Sequence, residues 1–263
     1  IITVQDSMDW WGEPLPLAWG SYPAVERIIC SLGEQGDKIG ELFRDGAYRG
    51  AQRLEESKGV PLLRYLLYGK GGAPFIEELR HRPGWIVNMA GASRGADHLK
   101  AIFTGDAKSR REIAQKYLGS ADVPEEFLNV RSNGALSAFA ENNAAVTNSL
   151  GICTMLAGSD PVRFPLSLHC DALYAALGLR FTPEELMLCG ERVVNLEKAF
   201  NSRLGFRRED DTVCERWLRE GQTEGLGKGW KAEDYLDQAL DEYYQSHGWD
   251  KKTSLPTRKK LEE

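Results

Sequence analysis

Residues 182–205 have the sequence TPEELMLCGERVVNLEKAFNSRLG, and this stretch decides the fold class. It opens with a capping box, in which the side chains of Thr182 and Glu185 bond each other's backbone amides and Pro183 occupies the first turn. Gly205 suits the end of a helix. The apolar side chains between these ends recur every three or four residues and share one helix face: Leu186, Cys189, Val193, Leu196 and Phe200. The stretch predicts one long amphipathic helix.

Other parts of the chain show the same helical period. Pro23 suits the first position of a helix, and apolar residues follow it at helical spacing. These residues are Val25, Ile28, Ile29 and Leu32. Residues 37–54 predict a second helix, and residues 136–147 predict a third that leads into a turn.

Residues 232–245 predict another helix, with Leu236, Leu240 and Tyr243 inward.

Strand signals are sparse. The best strand candidate is residues 85–89, WIVNM, which is short. We therefore predict an all-α, or mostly α, fold.

Composition limits the classes of function. The 263 residues are 42% hydrophobic and 27% charged, an ordinary mixture for a globular protein. The formal net charge of −6 excludes a general attraction to nucleic acid or to an anionic membrane. No apolar run reaches the roughly 20 residues that span a bilayer, and no signal peptide pattern opens the chain. Because Ile1 stands where Met would begin a protein, we expect a part of a longer chain.

The five cysteines do not form a local framework. Their number is odd and no Cys-x-x-Cys pair occurs, so we expect free thiols and a reducing, cytoplasmic location. Cys153 stands apart because Gly151 lets the backbone of its turn approach another group closely. A thiolate displayed there could bind a metal or a cluster. The more common alternative is a buried free cysteine.

A second group of polar residues lies among small ones in residues 90–99, AGASRGADHL. Arg94 could hold a phosphate or carboxylate, and His98 could transfer a proton. The alternative is a helix start with Ser93 as cap and Asp97 in the first turn. Residues 91–95 also match the Gly-x-Ser-x-Gly pattern of a hydrolase nucleophile elbow, which would require several more strands.

Two acidic stretches leave alternatives open. Glu209, Asp210 and Asp211 are better explained as a solvated acidic loop than as a cation site. Glu141, on the third helix, faces either a pocket or solvent, and the sequence does not decide between them.

Five segments, in order along the chain, resemble one family. They are GELFRDG (40–46), SRGADHL (93–99), NSLGIC (148–153), FNSRLGF with REDD (200–211) and YY followed by GWD (243–250). Each is similar to a segment of the aldehyde:ferredoxin oxidoreductase family, whose members carry tungsten, or sometimes molybdenum, on two pterin dithiolenes beside a [4Fe–4S] cluster. The resemblance implies helical C-terminal domains packed on a β-rich domain that lies upstream. A break in the pattern at residues 81–84, HRPG, suggests where these domains meet, so we expect residues 1–80 to complete a middle helical domain and residues 81–263 to form the C-terminal one.

The resemblance also implies roles for individual residues. Cys153 falls on the fourth cysteine ligand of the cluster, and Asn148, Ile152 and Thr154 fall at or beside contacts to one pterin. Asn148 replaces the aspartate of the family, exchanging a charged acceptor for an amide that also donates. The other cluster and pterin ligands would come from the upstream part of the polypeptide. Arg94, Asp97 and His98 are candidates for catalysis.

The implied reaction oxidises an aldehyde to a carboxylic acid and passes the electrons to ferredoxin. The expected partners are ferredoxin and the upstream domains, with a homo-oligomer left open and neither nucleic acid nor membrane expected. One alternative is the tungsten subunit of an enzyme like benzoyl-CoA reductase. Another is a non-catalytic helical scaffold.

Overall fold

The computed structural model describes residues 9, 12, 18, 20–34, 36–70, 78–101, 107–117, 119, 133–154, 161–162, 164–225 and 227–263. The helices in these residues, in chain order, are α1 (Tyr22–Glu34), α2 (Lys38–Phe43), α3 (Ala47–Lys58), α4 (Pro83–Gly91), α5 (Ala107–Tyr117), α6 (Asn133–Ser149), α7 (Leu166–Leu177), α8 (Pro183–Arg203), α9 (Glu215–Arg219), α10 (Leu236–His247) and α11 (Arg258–Glu262). No β-sheet occurs among the described residues, where isolated bridges join Gln222 to Lys228 and Trp249 to Pro256. The predicted all-α fold is confirmed.

The predicted strand over residues 85–89 is wrong, because this segment is the centre of α4. Pro83 occupies the first turn of α4, and residues 85 to 91 are all buried. A helix that is buried on every side has a continuous apolar run, which periodicity cannot distinguish from a buried strand. The strand that a nucleophile elbow requires before Ser93 is therefore replaced by a helix.

The single helix predicted over residues 37–54 is two helices, α2 and α3. The Asp37 side chain caps α2 by accepting hydrogen bonds from the backbone amides of Ile39 and Gly40, each at 3.1 Å. The chain then turns at Gly46, whose φ of 95° is a conformation that glycine adopts readily. The two helices pack against each other.

Helix α6 forms the centre of the fold and packs against α4, α8 and α10. Two glycines allow the backbones to approach closely. A Cβ atom at Gly134 would overlap the Ala239 carbonyl oxygen of α10, and one at Gly190 of α8 would overlap the Asn142 carbonyl oxygen of α6. The core around these crossings includes Trp217, Tyr243 and Tyr244, all fully buried.

Helix α8 begins with the predicted capping box, but its buried face is not the predicted apolar face. Thr182 Oγ1 accepts from the Glu185 amide at 3.2 Å, and Glu185 accepts from the Thr182 amide at 2.8 Å. Leu196 is 72% exposed and Phe200 is 63% exposed. The buried residues of α8 are Leu186, Gly190, Val194, Asn195 and Lys198. Asn195 and Lys198, the polar residues of this face, have buried partners. The positions of apolar residues in the sequence therefore do not identify the buried face of α8.

The acidic loop predicted at residues 209–211 is only partly solvated, because Asp211 is buried. Its Oδ1 lies 2.9 Å from Lys70 Nζ, and its Oδ2 lies 2.6 Å from Lys198 Nζ. The Tyr244 hydroxyl also donates to Oδ2, at 2.7 Å. A buried carboxylate requires such partners, and here they come from three distant segments of the chain.

Two other predicted helices are present. Helix α10 buries Leu236, Leu240 and Tyr243 as predicted. Helix α1 is also present, but Val25 and Ile29 of its apolar stripe are 52% and 63% exposed. None of the helices in the described part of the chain is long and apolar enough to cross a lipid bilayer.

Candidate functional site

The turn after α6 holds Cys153 in a defined position. The Ile152 amide donates to the Thr147 carbonyl oxygen at 3.0 Å, and the Gly151 amide donates to the Asn148 carbonyl oxygen at 3.1 Å. This pair of bonds is a Schellman motif, which requires a residue in the left-handed region. Gly151 supplies it with a φ of 71°. The motif ends α6 and places Cys153 two residues beyond the glycine.

The four residues assigned to cofactor binding by resemblance lie together on this turn. Cys153 is an exposed free thiol, so the alternative of a buried cysteine is wrong. Asn148 is exposed at the end of α6, and its Oδ1 accepts a hydrogen bond from Thr154 Oγ1 at 3.3 Å. Ile152 lies between them and is partly buried. No group of three or more His, Cys, Asp or Glu side chains in the described residues could hold a metal ion.

A polar cavity of about 230 Å³ lies beside the same turn. It is enclosed by the end of α6, by α8 and by the loop after α4. The residues that line it are Lys100, Glu141, Ala145, Asn148, Ser149, Val193, Val194 and Glu197. Because Asn148 lines this cavity and also bonds Thr154, the cavity borders the Cys153 turn.

An ion pair between Lys100 and Glu197 forms one wall of the polar cavity. Lys100 Nζ lies 2.5 Å from both carboxylate oxygens of Glu197. Ser93 Oγ donates to Glu197 Oε2 at 2.7 Å, and the Asn201 side chain donates to the Ser93 carbonyl oxygen at 2.7 Å. These bonds fasten the loop after α4 to helix α8.

Glu141 faces the cavity from α6, which settles the alternative left open by the sequence. Its Oε2 accepts a hydrogen bond from the Tyr243 hydroxyl and lies 3.4 Å from His247 Nε2. Burial, followed by the charge of Glu141, raises the pKa of Tyr243 well above its ordinary value. Tyr243 therefore stays protonated and remains a donor to Glu141 at neutral pH.

The structure does not bring Arg94, Asp97 and His98 into the lining of this cavity. Arg94 Nε donates to Asp97 Oδ2 at 2.8 Å, and the Arg94 side chain is 68% exposed. His98 stacks on Trp85, with ring centroids 6.2 Å apart. These residues belong to the same loop as Lys100, but the loop is not the start of a helix as the alternative predicted.

Sequence patterns did not single out Lys100 and Glu197. The two residues lie 97 positions apart in the sequence, and each residue alone has the pattern of a solvated charge. Ser93, the serine of the hydrolase pattern, donates its hydroxyl hydrogen to Glu197. Only the packing of the loop on α8 brings these three side chains together.

The chain is similar to one known protein family over nearly its whole length. The protein-family model for "Aldehyde ferredoxin oxidoreductase, domains 2 & 3" matches residues 3–263. The tungsten-containing aldehyde ferredoxin oxidoreductase of Pyrococcus furiosus is 30% identical over 257 residues, which are 96% of this chain and 38% of that protein. The corresponding protein of Thermococcus kodakarensis is 28% identical over 260 residues, again 96% of this chain and 38% of that protein.

A solved structure shares the fold. The active-site complex BamBC of benzoyl coenzyme A reductase, bound to 1,5-dienoyl-CoA, matches with a TM-score of 0.65 and 18% identity. The match covers 94% of this chain and 39% of the solved one.

The matched family and the relatives, which are named as aldehyde ferredoxin oxidoreductases, define the class of protein. It belongs to the aldehyde ferredoxin oxidoreductase family and holds domains 2 and 3 of that family. The chain spans about two fifths of the length of the relatives that it matches.

Proposed function

We propose that this chain is the helical C-terminal part of a pterin-dependent tungsten or molybdenum oxidoreductase with a [4Fe–4S] cluster. The enzyme oxidises an aldehyde to a carboxylic acid and transfers the electrons to ferredoxin, in the cytoplasm. The observation that carries this proposal is the exposed Cys153 thiol, held by the Schellman motif at the end of α6. The relatives named for this activity support it.

The residues of the turn fit the groups that they would hold. A cluster ligand must be a thiolate that another domain can reach, and Cys153 is exposed on a turn of fixed geometry. A pterin ring edge carries both donors and acceptors. Since Asn148 Oδ1 accepts from Thr154, its Nδ2 group is left to donate to a ring acceptor. The asparagine that replaces the family's aspartate therefore has a defined use.

The chemistry of the reaction gives these residues definite tasks. Oxidation of an aldehyde takes up one water and releases two electrons and two protons with the carboxylic acid. When bound, the metal on its pterins supplies the oxo chemistry and the cluster accepts electrons singly. Cys153 would hold the cluster, and Asn148 would orient the pterin. Lys100, fixed by Glu197, offers a positive charge at the wall of the polar cavity.

The ligand role of Cys153 is tested in the full-length protein by Cys153→Ala. We expect the variant to lose iron and the electron paramagnetic resonance signal of the reduced cluster, because one of the cluster's thiolate ligands is removed. Cys189→Ala is the matched control, since Cys189 is also an exposed free thiol but lies on α8. Unchanged iron content and an unchanged signal in Cys153→Ala would contradict the proposal.

Substrate profiling separates this reaction from the two alternatives. Oxidation of aldehydes with reduction of ferredoxin or a viologen dye supports the proposal. Reduction of an aromatic coenzyme A thioester without aldehyde oxidation would support the alternative that the enzyme is similar to benzoyl-CoA reductase. A full-length protein without iron, tungsten or molybdenum would support the scaffold.

We also propose that the chain divides near residue 80, into residues 1–80 and 81–263. The two parts contact each other through Arg64 Nη2 and Glu220, 2.8 Å apart, and through Lys70 and Asp211. Limited proteolysis followed by mass spectrometry tests the division, which predicts an early cut close to residue 80.

A further inference from the structure

A groove of about 410 Å³ also borders the turn that carries Cys153. The turn contributes Leu150 and Ile152, and α7 forms the other wall. The residues that line it are Leu150, Ile152, Phe164, Leu168, His169, Ala172, Leu173 and Ala176. Its volume lies within the range of small-molecule sites, about 300–1,000 Å³. Because Ile152 directly precedes Cys153, one end of the groove lies beside the proposed cofactor site.

His169 is the one polar side chain among these lining residues, and it is 5% exposed. Its Nδ1 lies 3.0 Å from the Pro165 carbonyl oxygen, which can only accept, so the proton is on Nδ1. Nε2 is then an acceptor, and the described part of the chain offers it no hydrogen-bond partner. Because His169 lines the groove, a donor group of a ligand there can bind Nε2 in place of water.

We propose that this groove binds the apolar side chain of the substrate, with His169 Nε2 accepting a hydrogen bond from an O–H or N–H group on it. The inference rests on the proposed function and names its substrate class: aldehydes with an aromatic or extended apolar side chain that carries one donor. The groove does not suit a pterin, which would leave its many polar atoms unpaired against apolar walls. The polar cavity lined by Asn148 suits that group better.

The groove is reached from the surface of the chain. Leu168 is 49% exposed, and Ala172 and Ala176 of α7 are exposed on the same side. A ligand can therefore enter along α7 toward Ile152. The competing occupant is the upstream part of the polypeptide, and the experiments below separate the two.

The first experiment measures binding of two unreactive probes, 4-propylphenol and propylbenzene, to the full-length protein by calorimetry. Ala172→Phe places a ring in the groove and should weaken both probes about 10-fold or more, by removing apolar contact. Ala175→Phe is the matched control, because Ala175 is exposed on α7 but does not line the groove. Unchanged affinity in Ala172→Phe would overturn the proposal.

The second experiment uses the variant His169→Phe, which removes the hydrogen-bond acceptor Nε2. The preference for 4-propylphenol over propylbenzene should fall about 3- to 10-fold from the wild type to this variant, the value of one hydrogen bond. Comparing the two proteins cancels the different hydration of the two probes. An equal preference in both proteins would overturn the role of His169.

The third experiment uses turnover. Ala172→Phe should raise KM for 3-(4-hydroxyphenyl)propanal about 10-fold relative to KM for acetaldehyde, since acetaldehyde has no side chain to place in the groove. If Ala172→Phe loses its metals or unfolds while Ala175→Phe does not, the groove is covered by polypeptide and the proposal is wrong. Probe binding as expected without oxidation of any aldehyde would instead contradict the proposed function alone.

Discussion

Asp211 connects three segments of the chain through buried charges. Its carboxylate contacts Lys70, Lys198 and the Tyr244 hydroxyl, and the carboxylate itself has no exposed surface. Burial alone would raise the pKa of Asp211, but the two lysine ammonium groups outweigh burial and lower it. Asp211 therefore stabilises the fold above its unfolded pKa of about 3.9, and this contribution is lost as the pH falls through the lowered folded value.

We expect Asp211→Asn to destabilise the chain by about 3–5 kcal/mol, because it leaves two buried lysines without their counter-charge. Urea unfolding of the 263-residue chain at neutral pH, followed by tryptophan fluorescence, measures the change. Asp171→Asn on the exposed side of α7 is the control, with an expected change within about 0.5 kcal/mol. Equal midpoints for the two variants would show that the buried ion pairs contribute nothing.

At the scale of elements, the helix crossings depend on glycine. Gly190 on α8 faces the Asn142 carbonyl oxygen of α6, with no space for a side chain between the two backbones. This crossing orients α8 so that Glu197 faces Ser93 and Lys100. The close contact of α6 with α8 therefore determines the shape of the polar cavity.

Gly190→Ala should destabilise the chain by about 1–3 kcal/mol, because the new Cβ forces α8 away from α6. Gly33→Ala is a matched control inside α1, where a Cβ meets nothing within 4 Å. That control should stabilise the chain by about 0.4–1 kcal/mol through the unfolded state. Thermal unfolding of both variants measures whether each change raises or lowers the stability of the chain. A Gly190→Ala variant more stable than the wild type would contradict the close contact between α6 and α8.

At the scale of the whole molecule, an aromatic cluster attaches the C-terminal segment to the core. Trp249 Nε1 donates to Asn195 Oδ1 of α8 at 2.7 Å, and its ring stacks on His247 with centroids 4.4 Å apart. Tyr243 and Tyr244 of α10 complete the cluster. Burial first, and then the charge of Asp211, raises the pKa of Tyr244.

Because the pKa of Tyr244 is raised in the folded chain, we expect the folded chain to lose stability at alkaline pH. Above pH of about 10 the unfolded chain releases the Tyr244 proton and the folded chain keeps it, so stability falls as pH rises. Each such tyrosine contributes a slope of about 1.4 kcal/mol per pH unit. Tyr244→Phe should reduce the slope between pH 10 and 11.5, measured by urea unfolding. Identical slopes for the wild type and the variant would rule out this coupling.

The sequence by itself determined the mostly helical class of the fold and the turn that carries Cys153. The Thr182 capping box and Gly151 act through bonds within a few residues, so their effect is visible in a short segment. The five ordered segments also identified the family, which the comparisons confirm. Gly46 is a local signal too, but the periodic pattern around it concealed the break between α2 and α3.

Only the tertiary structure decided which face of α8 is buried and which distant side chains meet. Lys198 and Asn195 are polar, yet they lie in the core because Asp211 and Trp249 reach them from other segments. Leu196 and Phe200 are apolar, yet they remain exposed. Pairing of Lys100 with Glu197 likewise depends on the packing of a loop on α8. The free energy of a buried polar group depends on its partner, and a partner about 100 residues away leaves no local pattern.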